Sequence, residues 1–222
     1  MEDPIPDPQV ARPFRENRFL QRLLAATLAV WTALAIAPHD RGDWLLENLV
    51  VFAAAAVLLA THRAFAFSNF SYLLVAVFLA LHAVGAHYTY SLTPCGDWLA
   101  TTFGLSRNPY DRLVHFAFGL LLAYPLHEMA RRVLHVHGGW SWTLPMLAIL
   151  SLSSGYEIVE SWAARIVDPE LGQAFLGTQG DEWDAQKDMT LAIVGAAIAL
   201  SACALHRSRS GREPWLWLRG RS

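Results

Sequence analysis

Glu47, His87, Asp111, His115, Glu157, Glu160, Asp184 and Asp188 all lie in or beside apolar stretches of this chain. Three pairs among them have helical spacing. Asp111 and His115 are four apart, Glu157 and Glu160 three, and Asp184 and Asp188 four, with Asp181 a further turn back. Separations of three and four put both members of a pair on one helix face. Mixed carboxylate and imidazole ligands suit Zn, Mn or Fe, and helix bundles host such sites through inward pairs at these spacings. A divalent metal held there lowers the pKa of a bound water and polarises a phosphoryl or carbonyl oxygen. Asp111, His115, Glu157, Glu160 and Asp188 are the candidate ligands. His87 and Glu160 are the candidate catalytic groups, with Glu47, Asp181 and Asp184 as surrounding support.

These residues need a scaffold, and the composition says which. Of the 222 residues 54% are hydrophobic and only 16% charged, where a soluble domain carries about a quarter charged residues. The apolar residues are blocked into long runs, and about 20 of them cross the hydrocarbon core as a helix. Candidate spans are 19–37, 44–61, 70–89, 111–131, 142–162 and 185–206, an all-α integral membrane bundle of about six transmembrane helices. Residues 1–18 form a Pro-rich, charged N-terminal segment read as disordered and cytoplasmic, and 207–222 a basic, aromatic cytoplasmic tail. No small-residue cleavage site follows the first apolar run, which therefore reads as a retained span. The longest connections, about 90–110 and 163–184, read as loops. The second, punctuated by Gly172, Gly177 and Gly180, reads as a structured lid.

Orientation follows from Lys and Arg, which favour the cytoplasmic side. With the N-terminus inside, Arg12, Arg15, Arg18, Arg22, Arg63, Arg131, Arg132, Arg207, Arg209, Arg212, Arg219 and Arg221 are cytoplasmic. Arg41, Arg107, Arg112, Arg165 and Lys187 are not. That bias puts both termini in the cytoplasm. Trp44, Trp98, Trp162 and Trp183 then mark the outer interface, and Trp140, Trp142, Trp215 and Trp217 the inner one. On this topology the acids and histidines from five spans gather at the outer face. At 1.5 Å per residue, His115 and Asp188 sit only about 6 Å inside their helix starts, which describes a shallow site.

Charged groups inside a bilayer are costly and are functional candidates by default, yet helix ends offer a plainer account. Asp111 and Asp184 suit N-caps, and Glu47, His115 and Asp188 suit a wetted interface. Glu157 and Glu160 resist that account, because two acids at a helix C-terminus oppose its dipole. His82 lies mid-span as a buried, hydrogen-bonded histidine or a deeper member of the site. His127 and Glu128, with Arg131 and Arg132, read as interfacial ion pairs. Ser151, Ser153 and Ser154 read as helix-packing residues, as does the small-residue face around Gly195. Cys95 and Cys203 fall at opposite ends and form no disulfide framework. A net charge of −2 offers no basic face for nucleic acid.

Three stretches carry a resemblance. They are Arg107-Asn108-Pro109-Tyr110-Asp111-Arg112-Leu113-Val114-His115-Phe116, Tyr156-Glu157-Ile158-Val159-Glu160, and Gly177 through Met189 (Gly-Thr-Gln-Gly-Asp-Glu-Trp-Asp-Ala-Gln-Lys-Asp-Met). Together they resemble the YjdF-like family of bacterial inner-membrane proteins, which implies a multi-pass protein of the bacterial inner membrane. Asp111-Arg112-Leu113-Val114-His115-Phe116 is also similar to the Asp-Lys-x-x-His-Phe element of VanZ-like proteins, a likeness that implies a connection to envelope lipids. The Glu157/Glu160 pair and the Gly-Thr-Gln-Gly-Asp loop depart from the VanZ-like pattern.

The leading expectation is a metal-dependent hydrolase or transferase acting at the outer leaflet on lipid headgroups or phosphoesters, with membrane lipid or another amphiphile as substrate. A small ion- or proton-coupled transporter is a second reading, weakened by the lack of an internal repeat. A structural or regulatory envelope protein, whose acids only cap helices and bind divalent cations, is a third.

Overall fold

The computed structural model describes residues 14–62, 64–167 and 169–211, and these are helical apart from turns and connections. The elements are α1 (Arg18–Ala35), α2 (Arg41–Thr61), α3 (Asn69–His87), α4 (Pro94–Phe103), α5 (Tyr110–Arg132), α6 (Trp140–Ile166), α7 (Pro169–Leu176) and α8 (Asp184–Ser210). Each of the six expected spans falls on a long helix. Among the described residues, α2, α3, α5 and α8 are long and apolar enough to cross a membrane. α1 opens on Arg18 and Arg22, and α6 carries Glu157, Glu160 and Arg165 towards its end. Segments 1–13 and 212–222 lie outside the described residues, and with them Arg12, Arg212, Arg219, Arg221, Trp215 and Trp217; so does Arg63.

Short polar side chains fix where helices begin. Asn17 accepts from the Leu20 backbone N–H at 3.1 Å, Asp40 from that of Asp43 at 2.8 Å, and Ser68 from that of Ser71 at 3.2 Å. Each satisfies a first-turn donor that the helix itself leaves unpaired. The connection 90–110 is not a plain loop, which corrects the expectation, and 163–184, read as a structured lid, contains α7. Pro94 opens α4 at a first-turn position and Gly104 closes it at φ +63°, the Pro-first, Gly-last asymmetry of a short helix. In α7, Gly172 serves close approach and not turning. A Cβ there would press on the Ala164 backbone of α6.

α5 is the centre of the bundle, packed on α3, α6 and α8. Its seam with α8 is the tightest. A Cβ on Gly119 would collide with the Ala192 carbonyl, and one on Gly195 with that of Phe116. The adjoining core is built of Ala123, Ile149, Ala192, Ala196, Ala199 and Leu200. Inside a bilayer, where lipid tails are as apolar as leucine, such small residues let backbones approach and gain dispersion contact. At the opposite end of α5, Glu128 is fully buried and not interfacial as its position suggested. It accepts from the Ser68 N–H at 2.8 Å, Ser68 Oγ at 2.7 Å and Ser71 Oγ at 2.5 Å, and is paired with Arg132. His127 is likewise buried, its Nδ1 2.7 Å from the Ser141 carbonyl and its ring stacked on Trp142.

Overpacking a close core costs about 1–3 kcal/mol, so Gly195→Leu will lower the thermal midpoint in detergent well below that of the wild type. Gly104→Ala, with open space around it, bears only a left-handed backbone cost of about 1–2 kcal/mol. Equal midpoints for Gly195→Leu and the wild type would contradict the α5–α8 seam.

Candidate functional site

The first turns of α5 and α8 and the last third of α6 meet at one end of the bundle. Their side chains answer the spacing argument. His115 Nε2 lies 3.6 Å from Asp111 Oδ1 and 3.6 Å from Glu157 Oε1. Asp111, His115 and Asp188 each offer an atom within 4.8 Å of the other two. Glu157 and Glu160 face each other within hydrogen-bonding reach. Separations of 3.6 Å are too long for hydrogen bonds. They suit donors sharing one ion, because ligands at about 2.0–2.2 Å from a zinc lie up to about 4.4 Å apart. Asp188 is only 2% exposed, and its Oδ1 and Glu157 Oε1 are buried without a hydrogen-bond partner. A buried, unpaired carboxylate oxygen is expensive, and a cation would satisfy both.

Asp111 and Asp184 are not N-caps. Pro109 and Trp183 occupy those positions, and neither α5 nor α8 has a side-chain cap. Asp184 instead pairs with Arg107, which also donates to the carbonyls of Thr178 and Gly177 at 3.1 and 3.3 Å. Arg112 pairs with Asp181 and lies 3.4 Å from Asp184, and Lys187 reaches Asp181 at 2.6 Å. Gln179 and Asn108 clasp reciprocally, through the Asn108 N–H at 2.9 Å and the Asn108 carbonyl at 3.0 Å. Segment 177–184 is thereby strapped onto the start of α5. The Lys187 ammonium, with the Trp183 N–H, holds the Asp181 carboxyl down at about 2, below its usual range.

A cavity of about 300 Å³ opens beside the cluster. Glu47, His82, Tyr90, Asp111, His115, Tyr156 and Glu160 form its polar end, and Phe175, Leu176 and Gly177 lie over it. Asp188 and Glu157 are not among its wall residues, so the three-helix cluster borders the cavity. Glu47, 2% exposed, accepts from Tyr156 Oη at 2.8 Å. Tyr90 Oη lies 2.5 Å from His82 Nδ1, and burial drives the Tyr90 phenol well above its ordinary value.

The structure does not bring His87 to this group. Its Nδ1 is 2.7 Å from the Leu34 carbonyl, at the seam of α1 and α3, and it is absent from the cavity wall. One and a half turns earlier, His82 takes the inward place. Arg107, Arg112, Tyr90, Tyr156 and Asp43 were missed by the sequence reading. Asp43 was findable, being four residues before Glu47 on one face of α2; it is 1% exposed and neither carboxylate oxygen has a partner. The aromatic hydroxyls carried no such signal, because tyrosine is ordinary at a membrane interface.

Removing Arg107 strips the strap of two carbonyl contacts and an ion pair, whereas Lys187 is half exposed. Arg107→Ala will therefore speed amide hydrogen exchange across 177–184 more than Lys187→Ala does. Equal effects would refute the strap. A carboxyl whose folded pKa is depressed stabilises above its unfolded value and stops doing so as pH falls through the folded one. The Asp181 contribution is thus intact at pH 5 and fades between 3.8 and about 2. Asp181→Asn removes that pH dependence from the exchange of this segment.

Comparison with known proteins agrees with this architecture. Residues 19–209 match the family described as "Predicted membrane protein (DUF2238)". The chain is 37% identical over 206 residues to Inner membrane protein YjdF of Escherichia coli (strain K12), covering 89% of this chain and 97% of that protein. No solved structure matches. The matched region takes in every helix of the bundle almost to the end of α8, the strap and the acid–histidine cluster, and the chain belongs to this DUF2238, YjdF-like family of membrane proteins.

Proposed function

We propose that this is a metal-dependent hydrolase or transferase of the bacterial inner membrane, working on phosphoester-bearing substrates at the outer face. The observation that carries it is the convergence of Asp111, His115 and Asp188 within 4.8 Å, with a buried carboxylate oxygen of Asp188 left unpaired. Asp111, His115 and Asp188 hold the ion, and Glu157 and Glu160 complete or border its shell. Zn, Mn or Fe suits this oxygen-rich, single-imidazole set. When bound, such an ion supplies a Lewis acid and an activated water. Glu160 stands beside Glu157 at the cavity wall, where it can take or return a proton. The strap over 177–184 shields this end from water.

In this reading α1 and α6 also cross the membrane, giving six spans with both termini cytoplasmic and the cluster outside. Trp98, Trp162 and Trp183, exposed at the site end, and Trp140 at the other, are placed as interfacial belts. The inner membrane is the location in the name of the Escherichia coli relative. A transporter would need polar groups to continue inward. Below the acids the cavity wall turns to Phe78, Phe118, Leu122 and Leu152, with the Ser153 hydroxyl as an isolated polar group among them. Glu128, 13 residues on from His115 and so about 20 Å further along α5, is already engaged with Ser68, Ser71 and Arg132. That weighs towards chemistry at one face.

Elemental analysis of gently purified protein tests this reading. The wild type should carry stoichiometric metal, lost from Asp188→Ala, His115→Ala and Glu157→Ala and kept in His87→Ala. A metal-free wild type would sink the proposal.

A further inference from the structure

The cavity has a lower half that the proposed chemistry does not use. Down α5 its wall passes from Asp111 and His115 to Phe118 and Leu122, a descent of 11 residues or about 16 Å along the helix. Polar groups stop after the first part of that descent. The rest is hydrocarbon contributed by α2, α3, α5 and α6, apart from the Ser153 hydroxyl of α6.

This slot is open sideways. Val50 of α2 and Leu152 of α6 both line it and are 46% and 54% exposed. Cavity-lining residues that stay this accessible mark a mouth rather than an enclosed wall. α2 packs on α3 and α7, and its seam with α6 is bridged near the outer end by Tyr156 donating to Glu47. Below that bridge the seam gives onto the bilayer interior.

We propose that the slot seats one hydrocarbon chain of a membrane amphiphile, which enters laterally between α2 and α6 and presents its head group to the Asp111–His115–Asp188 end. The proposal rests on reading that end as the reacting centre. A water-soluble phosphoester would leave the lower half without a partner of its own kind, while a polar group placed there would lose its hydrogen bonds. The segregation of the walls matches an amphiphile in the orientation it already has in the outer leaflet. His82 stands at the junction, 7% exposed, with Nε2 unpartnered. Tyr90 Oη is placed to donate to its Nδ1, which leaves Nε2 as an N–H for a head-group oxygen. Phe175 and Leu176 of α7 roof the same space, so the chain arrives from the membrane and not from water.

The test uses dodecyl phosphate carrying a diazirine at its chain end, in nanodiscs holding the full-length protein. After irradiation, mass spectrometry should place the adduct on segment 118–122 or on Leu152, and excess untagged dodecyl phosphate should remove it. Leu122→Trp, which fills the slot, should abolish that adduct, as should Ala54→Phe at its mouth should the first variant fail to fold. Leu147→Trp, on the outer surface of α6 and away from the slot, should leave it unchanged. Metal content measured on the same samples separates the two claims. A metal-loaded wild type whose adducts scatter over outward residues such as Val57 and Leu59, or persist in both slot-filling variants, overturns the slot. A metal-free wild type with a competed adduct at 118–122 supports the slot and overturns the metal chemistry instead.

Discussion

The approach of α5 to α8 decides where everything else can be. Asp111 and His115 stand at the head of one helix and Asp188 at the head of the other, so their separation is set by the distance between two backbones. Gly119 and Gly195 make that distance small, each lying where a side chain would strike the facing carbonyl. Bulkier residues would hold the axes apart and leave the three donors out of reach of one another. A packing constraint two turns below the cluster thus sets the geometry of the cluster itself. α6 then leans on the same pair and adds Glu157 and Glu160.

Polar atoms in a bilayer are tolerated where they are answered. This molecule answers most of them: Glu128 with two serines and an arginine, Asp184 with Arg107, Glu47 with Tyr156. Against that background stand the buried oxygens of Asp188, Glu157 and Asp43, which have no hydrogen-bond partner. The contrast between these fully engaged acids and the open ones is what divides architecture from candidate chemistry.

Much of this was readable in the amino-acid order. Long apolar runs have one stable outcome in lipid, so all six long helices could be located to within a few residues, and i,i+4 arithmetic found the acid–histidine pairs because it depends on helix geometry alone. What escaped was whatever depends on partners far along the chain. Glu128 looked interfacial because its serines lie 60 and 57 residues earlier. Asp184 looked like a cap because Arg107 is 77 residues away. His87 and His82 share a helix and differ only in which neighbour each side chain meets, a matter of rotation that a near-uniformly apolar helix does not reveal. Glycines misled in α7, since one letter serves both turning and close packing, and the second use shows only when the opposing backbone is in view.

Glu128 also bears on how the bundle comes together. Chains are made from the N-terminus, so α3 exists before α5, and the first-turn groups of Ser68 and Ser71 must wait for an acid 60 and 57 positions downstream. Until then α3 has a poorly satisfied start, and docking of α5 is what completes it. α8 comes last and alone brings Asp188. The Asp111–His115–Asp188 group is therefore completed only when α8 docks, although α5 and α6 already bring Asp111, His115 and Glu157 together. Until α8 docks, α5 and α6 hold an incomplete donor set at that end of the bundle, and Asp188 is what closes it.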